Sequence, residues 1–291
     1  MILICLVGEQ PAPNLLPARR LQPAVTVLVH TERTRSIAAN LEVLLEPRYP
    51  CRLCAVDPYH IPRIYDQLAH FVAQEFPGEP LTFNLTGGTK PMMLAAYWLA
   101  REYESPFVYF QTEGNRSCLY HYTLENGVIS LKETEELPET ISLDDYLRLH
   151  LGTYETGAPR EDFEQRVFDV LAATPGIANV FTSVRPQGLG ALEVDFAVHC
   201  GNQVGIGEVK HKGAKAGIDQ INAVADPRYL GTYVGKFLIS AHPVDRNNKL
   251  LAQAYRIELI ELLSYEKTGT LDTADKGKLS QAILRRLGGK A

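Results

Sequence analysis

Three side chains in the second half of the chain have types and spacing suited to phosphodiester chemistry: Asp195, Glu208 and Lys210. They fall on a stretch, Glu193 to Lys210, that reads as two strands joined by a tight turn. Val194, Phe196 and Val198 alternate with Glu193, Asp195 and Ala197, the period of a half-buried strand. Gly201-Asn202 suits a two-residue turn that accepts positive φ. That turn pairs Cys200 with Gln203, which sets Asp195 opposite Glu208 and Glu193 opposite Lys210. Directly opposed side chains lie about 4.5–5.5 Å apart at Cβ, so the two carboxylates repel each other unless a positive charge is shared between them. A hard divalent cation is one such charge, since it takes oxygen ligands and often only one or two carboxylates besides water and substrate phosphate. It would acidify a bound water and stabilise charge growing on a phosphate. Lys210, two residues beyond Glu208 on the same strand face, is placed to orient or deprotonate that water or to neutralise the transition state. The alternative is an ordinary amphipathic hairpin with solvated acids and a Glu193–Lys210 cross-strand pair.

The elements around the hairpin must position these groups. Arg160 to Ala173 has the helical spacing of Phe163, Val167, Phe168 and Leu171. Ile177 to Val184 reads as a strand, Gly217 to Ala225 as a helix, Lys236 to Ser240 as a strand and Asp275 to Leu287 as a closing helix. His211-Lys212-Gly213-Ala214-Lys215 is a small basic cluster that could hold a nucleic-acid backbone or be a plain solvated loop. Asp195 with Glu208-x-Lys210 resembles the PD-(D/E)xK nuclease signature, and the order helix, strand, hairpin, helix, strand is the order that fold requires. The resemblance implies a metal held by Asp195 and Glu208, Lys210 serving the attacking water, and a glutamate of the first helix reaching the site. Glu164 matches that glutamate best, with Glu161 as the alternative.

The first half alternates strands and helices, the pattern of an open and mostly parallel sheet of Rossmann type. Strands are expected at 25–29, 52–56, 81–85 and 107–110, helices at 36–46, 62–76 and 91–103, and a terminal hairpin at 117–122 and 127–131. Ligands of such sheets sit beyond the carboxyl ends of the strands. Asn84-Leu85-Thr86-Gly87-Gly88-Thr89-Lys90-Pro91-Met92 lies there, between a strand and a helix. Gly87 and Gly88 let backbone N–H groups come close to a ligand. Thr89 can cap the helix and Pro91 suits its first turn; Lys90 adds charge to a helix N-terminus that already favours anions. It is not a Walker loop, because the G-x-x-x-x-G-K-[ST] spacing is absent. The segment Gly8 to Pro17 reads as a polar, proline-stiffened loop at the end of the first strand, and His30 to Thr34 follows the next strand in the same way.

This half resembles the CARF domain, the nucleotide-sensing module of CRISPR-associated proteins, chiefly through Asn84–Met92 with the Gln10-to-Asn14 segment in support. The resemblance implies a dimer that binds a cyclic oligoadenylate across its two-fold axis, with Gln10, Asn14, Thr31, Thr86, Gly87, Gly88, Thr89 and Lys90 as contacts. The whole chain resembles the ancillary nucleases of type III CRISPR systems. Its expected divisions are a CARF domain at 1–135, a connector at 136–157 and a PD-(D/E)xK domain at 158–291. The expectation is a homodimeric nuclease, activated by cyclic tetra-adenylate and dependent on Mg2+ or Mn2+, that cuts DNA or RNA. A CARF-linked nucleic-acid binder without cleavage, a restriction-type nuclease and a ring nuclease acting on its own activator are the alternatives.

Composition bounds these readings. Hydrophobic residues make up 45% and charged residues 22% of 291, as expected of a globular protein. No apolar run approaches the ~18 residues of a membrane helix, and Met1 to Gly8 reads as a first strand rather than a signal peptide. Five scattered cysteines argue against a disulfide framework and suit a reducing cytoplasm. Residues 1–154 carry 12 basic and 18 acidic side chains, residues 155–291 carry 17 and 16. Neither half is a broad basic surface, so a nucleotide in the first half needs a local site.

Overall fold

A computed structural model describes residues 1–46, 48–114, 116–188, 192–226, 229–230 and 234–288. The chain divides into two compact α/β units, Met1–Thr140 and Ile141–Ala291.

In the first unit, strands β1 (Ile2–Leu6), β2 (Val25–His30), β3 (Cys51–Ala55), β4 (Leu81–Asn84) and β5 (Phe107–Glu113) alternate with helices α1 (Ala12–Leu21), α2 (Arg35–Leu45), α3 (Ile61–Glu75) and α4 (Lys90–Glu102). A final hairpin, β6 (Arg116–Glu125) and β7 (Val128–Glu136), completes a seven-stranded sheet of order β3-β2-β1-β4-β5-β6-β7. Its first five strands are parallel and the last two antiparallel. The local causes are visible in the sequence. The α3 stripe Ile64, Leu68 and Val72 is buried at four-residue spacing, and the His60 ring caps the helix by accepting from the Arg63 N–H at 3.2 Å. The chain winds outward from β1 to β3 and then returns to β4 beside β1. The ends of β1 and β4 are therefore a topological switch point.

The segment Gly8 to Pro17 is not a loop. Most of it is α1, with Asn14, Leu15, Leu16 and Pro17 buried. Pro11 and Pro13 stand in the cap and first turn, where a missing N–H costs no hydrogen bond. Pro17 is inside the helix and leaves the Pro13 carbonyl without its usual donor four residues on. Asn84 fills that vacancy: its Nδ2 donates to the Pro13 oxygen at 2.7 Å.

The second unit begins with α5 (Leu143–Leu151) and the short β8 (Tyr154–Glu155), inside the segment expected to be a connector. Leu143, Leu147 and Leu149 are buried, and the Tyr146 hydroxyl donates to the Leu230 carbonyl at 2.8 Å. Then come α6 (Asp162–Ala172), β9 (Asn179–Pro186), β10 (Val194–Cys200), β11 (Gln203–Lys210), α7 (Ala214–Val224), β12 (Gly235–Ser240), α8 (Arg246–Ala254), β13 (Ile257–Glu261), α9 (Ser264–Thr268) and α10 (Thr273–Leu287). The sheet order is β13-β12-β11-β10-β9-β8. One face packs Phe196, Val198, Val209, Phe237 and Ile239 on α6 and α10. The other sets Leu238 and Ile257 against Ile218 and Ile221 of α7 and Ala252 of α8.

All five cysteines are buried free thiols. Burial pushes Cys5 and Cys54 up to about 12, and it raises Cys51 equally with help from Glu42 and Glu46. Among the described residues no helix is long and apolar enough to cross a membrane.

Candidate functional site

The hairpin register is the one the turn dictates: Cys200 pairs with Gln203 and Phe196 with Gly207. Continued by one pair, it sets Asp195 opposite Glu208. Gly205 and Gly207 make the packing possible, since a Cβ at Gly207 would lie 2.3 Å from the Phe196 ring and one at Gly205 2.6 Å from the Phe237 ring. The rings fill the face on which Gly205 and Gly207 lie, and strand alternation places Glu208 on the other. There Glu208 is side by side with Leu238, under α7.

Asp195, Glu208 and Lys210 converge. The Lys210 Nζ is 2.6 Å from Glu208 Oε2 and 3.5 Å from Asp195 Oδ2. The Val209 N–H donates to Asp195 Oδ2 at 2.7 Å and fixes that carboxylate. Glu208 is 0% exposed, and among the described residues neither of its oxygens has a well-aligned hydrogen bond. Burial, then the nearby Asp195, push its carboxyl up to about 8 against the pull of Lys210. Burial works against the Lys210 charge, but the two carboxylates outweigh it and hold the ammonium above its ordinary range. Gly217 of α7 gives Lys210 its room: a Cβ there would sit 3.1 Å from Lys210 Cγ and 2.7 Å from Leu238 Cδ1.

Glu164, in the first turn of α6, is half-buried and accepts from the Arg160 N–H at 2.7 Å. Burial first raises its carboxyl, and Asp195 adds to the rise, so Glu164 is electrostatically coupled to the pair. Glu161 is the exposed N-cap of the same helix. Glu193 does not pair with Lys210. Arg160 Nη2 donates to Glu193 Oε1 at 2.7 Å, an ion pair 33 residues apart that the hairpin pattern could not report. A desolvated carboxylate that faces a second carboxylate, with an ammonium between them, is a donor set that fits a hard cation.

In the first unit the candidate loop sits at the switch point. Asn84 organises it: Oδ1 accepts from the Thr86 N–H at 3.2 Å and the Thr86 hydroxyl at 2.7 Å. Thr86 Oγ1 in turn accepts from the Phe110 N–H at 2.7 Å. Gly87 is forced, because a Cβ would be 2.0 Å from the Leu6 carbonyl oxygen, and Gly88 has φ +71°. Thr89 caps α4 through the Met92 N–H at 3.2 Å and donates to the Pro58 carbonyl at 2.8 Å, while Lys90 is exposed. Gln10 is partly exposed just before α1. Asn14 is fully buried and donates to the Leu6 carbonyl at 3.0 Å. Thr31 is buried in its own turn, its N–H donating to Thr34 Oγ1 at 3.1 Å. Asn14 and Thr31 thus shape the loops from beneath, whereas Gly87, Gly88, Thr89 and Lys90 form the surface at the start of α4.

Residues 2–146 match the family model described as the Card1 CARF domain. The N-terminal unit is a CARF domain. No curated protein sequence matches the chain. Among solved structures, Can2 from Sulfobacillus thermosulfidooxidans in complex with cyclic tetra-adenylate aligns over 99% of this chain and 99% of its own, at 15% identity and a TM-score of 0.74. Protein VC1899 from Vibrio cholerae aligns over 99% of each chain at 16% identity and 0.74. A type III CRISPR defence DNA nuclease activated by cyclic oligoadenylate aligns over 97% of this chain but 51% of its own, at 16% and 0.59, so this chain spans about half its length. At these identities the likeness is one of fold.

Proposed function

We propose that this protein is a cyclic-oligoadenylate-activated, metal-dependent nuclease of type III CRISPR defence, with cyclic tetra-adenylate as activator and DNA or RNA as substrate. One observation carries the reading: the fully buried Glu208 carboxylate, set against Asp195 and 2.6 Å from the Lys210 ammonium. Burying an acid beside a second carboxylate is costly.

Asp195 and Glu208 are the residues that would hold Mg2+ or Mn2+. When bound, such an ion supplies charge stabilisation at the phosphate and a more acidic water. The chain's own groups do the rest. The Val209 N–H keeps Asp195 aimed, and Lys210 places a persistent positive charge where a phosphate's charge must be offset. Glu164 adds an acid coupled to Asp195. α7 shields Glu208 from bulk water, which strengthens each of these interactions.

In the CARF domain, Gly87, Gly88 and Thr89 offer backbone and hydroxyl groups at a helix N-terminus, and Lys90 offers charge. Gln10 lies near the switch point, and Asn14 and Thr31 hold the loop geometry. A homodimer presents the same loops twice, which matches a two-fold symmetric ring. The fold of Can2, solved with cyclic tetra-adenylate, supports that ligand. Ring cleavage by the CARF domain itself has less support, because the Thr86 hydroxyl is already bonded to Asn84 and the Phe110 N–H.

The test is cleavage of single-stranded RNA, single-stranded DNA and supercoiled plasmid, with Mg2+ or Mn2+, with and without cyclic tetra-adenylate. Cleavage should require both metal and activator. Asp195→Ala should abolish it while activator binding persists; cleavage retained by that variant would sink the assignment.

A further inference from the structure

We propose that His211, His242 and Glu266 form a second cation site, for a divalent first-row transition metal of the Zn2+ or Co2+ class, separate from Asp195 and Glu208. The fold brings the three together. His211 directly follows β11, His242 lies two residues beyond β12, and Glu266 sits on α9 just after β13. These strands are parallel neighbours, so their carboxyl ends lie side by side.

The ligand atoms of the three residues all lie within 4.8 Å of one another. His211 Nε2 is 2.9 Å and His242 Nε2 3.1 Å from the same oxygen, Glu266 Oε2. A tetrahedral ion with ligand bonds of 2.0–2.1 Å sets its donors about 3.3 Å apart, close to both distances. The imidazole rings are 5.1 Å apart at 39°, so modest ring rotation brings their nitrogens into such a shell.

The second observation is His242 itself. Its Nε2 has no accessible surface and, among the described residues, no hydrogen bond, although Glu266 Oε2 is 3.1 Å away. Native proteins rarely leave a buried ring nitrogen in that state, and its lone pair is what a metal takes. Tyr265 holds the cluster in place: its ring meets His211 edge-on at 5.9 Å, and its hydroxyl donates to Asp162 at 3.1 Å. Lys212 is the neighbouring cation and is exposed, free to swing into water.

Ligand chemistry separates the two sites. Imidazole suits Zn2+, Co2+ and Ni2+, whereas an oxygen-only pair suits Mg2+ and Mn2+. Two histidines and one carboxylate also leave a fourth position open for water or a phosphate oxygen. The inference does not rest on the nuclease reading, and its test needs no cleavage.

The experiment is a Co2+ titration of the full-length, chelator-stripped protein in excess Mg2+, followed by the visible d–d absorption of the bound ion. The expected result is one tight Co2+ per chain that Mg2+ does not displace. His242→Gln and His211→Asn, each checked for fold by circular dichroism, should weaken Co2+ by more than the roughly 10–100-fold that losing an outer-shell partner costs. Asp195→Asn should leave the absorption unchanged. The proposal is overturned if Co2+ binds no more tightly than Mg2+, if Mg2+ displaces it, or if Asp195→Asn removes the absorption while the histidine variants keep it.

Discussion

Neutralising Glu208 should make the metal-free fold more stable, most of all at high pH. In the unfolded chain this carboxyl ionises near 4.5; in the fold, burial first and Asp195 second push it up to about 8. Between those values the folded state keeps a proton that the unfolded state has released. Stability therefore falls as pH rises, being unaffected below about 4.5 and progressively lost up to about 8. At about 1.4 kcal/mol per pH unit for one proton, the loss is on the order of 2–3 kcal/mol between pH 5 and pH 7. Glu208→Gln removes this titration and leaves the volume nearly unchanged. Its amide can donate to Asp195 but has a second N–H to satisfy, which costs about 1 kcal/mol. Counted from the protonated state the loss at pH 7 is roughly 3 kcal/mol, so the net gain there is about 2 kcal/mol, and it grows toward pH 8. The assay is chemical denaturation of both proteins in chelator at pH 5, 6, 7 and 8. Groups remote from Glu208 cancel in the difference, and Lys210, held above its ordinary range, keeps its charge across this window. Parallel profiles, or a wild type that gains on the variant as pH rises, would refute the reasoning. Added Mg2+ or Mn2+ should then stabilise the wild type and leave the variant unmoved.

Lys210→Met should abolish cleavage with unchanged activator affinity, and should cost the metal-free fold only roughly 1–3 kcal/mol, since Glu208 already holds its proton below about pH 8 and leaves no bare buried charge behind. Gly217→Ala would ordinarily gain up to about 1 kcal/mol in a helix. Here the new methyl meets Leu238 and Lys210, so denaturation should show a loss of about 1–2 kcal/mol, with slower cleavage. Gly87→Ala drives a methyl into the Leu6 carbonyl; calorimetry should show cyclic tetra-adenylate binding weakened at least about tenfold, a loss of roughly 1.4 kcal/mol.

The hairpin was legible because a two-residue turn fixes every pairing after it, and the alternation around Phe196 set which side chains share a face. The fate of Glu208 was not. An acid in an alternating strand reads as solvated, and only the packing of α7 over that face, permitted by Gly217, removes it from water. The Arg160 partner of Glu193 depends on how α6 docks, a relation 33 residues long. The Asn84 stretch stood out by its paired glycines, but α1 was hidden by its prolines, which signal interruption locally. Asn84, 67 positions beyond Pro17, repairs the bond that Pro17 breaks. His242 and Glu266 carried no spacing of their own, since what joins them to His211 is the parallel order of three strands. The segments 246–254 and 257–261 do not read as helix and strand from pattern alone; Ile257-Glu258-Leu259-Ile260-Glu261 is short and mixes its acids with its apolar residues.

The five shielded thiols are distributed unevenly: Cys5, Cys51, Cys54 and Cys118 in the first unit, Cys200 alone in the second. Each is inaccessible while its own unit is folded, so alkylation with a mass-tagged reagent counts which unit has opened. A species carrying one tag has lost the second unit only, and a species carrying four has lost the first. The chain thus contains an internal reporter, requiring no engineered label, that reads the integrity of its first and of its second unit separately in one spectrum.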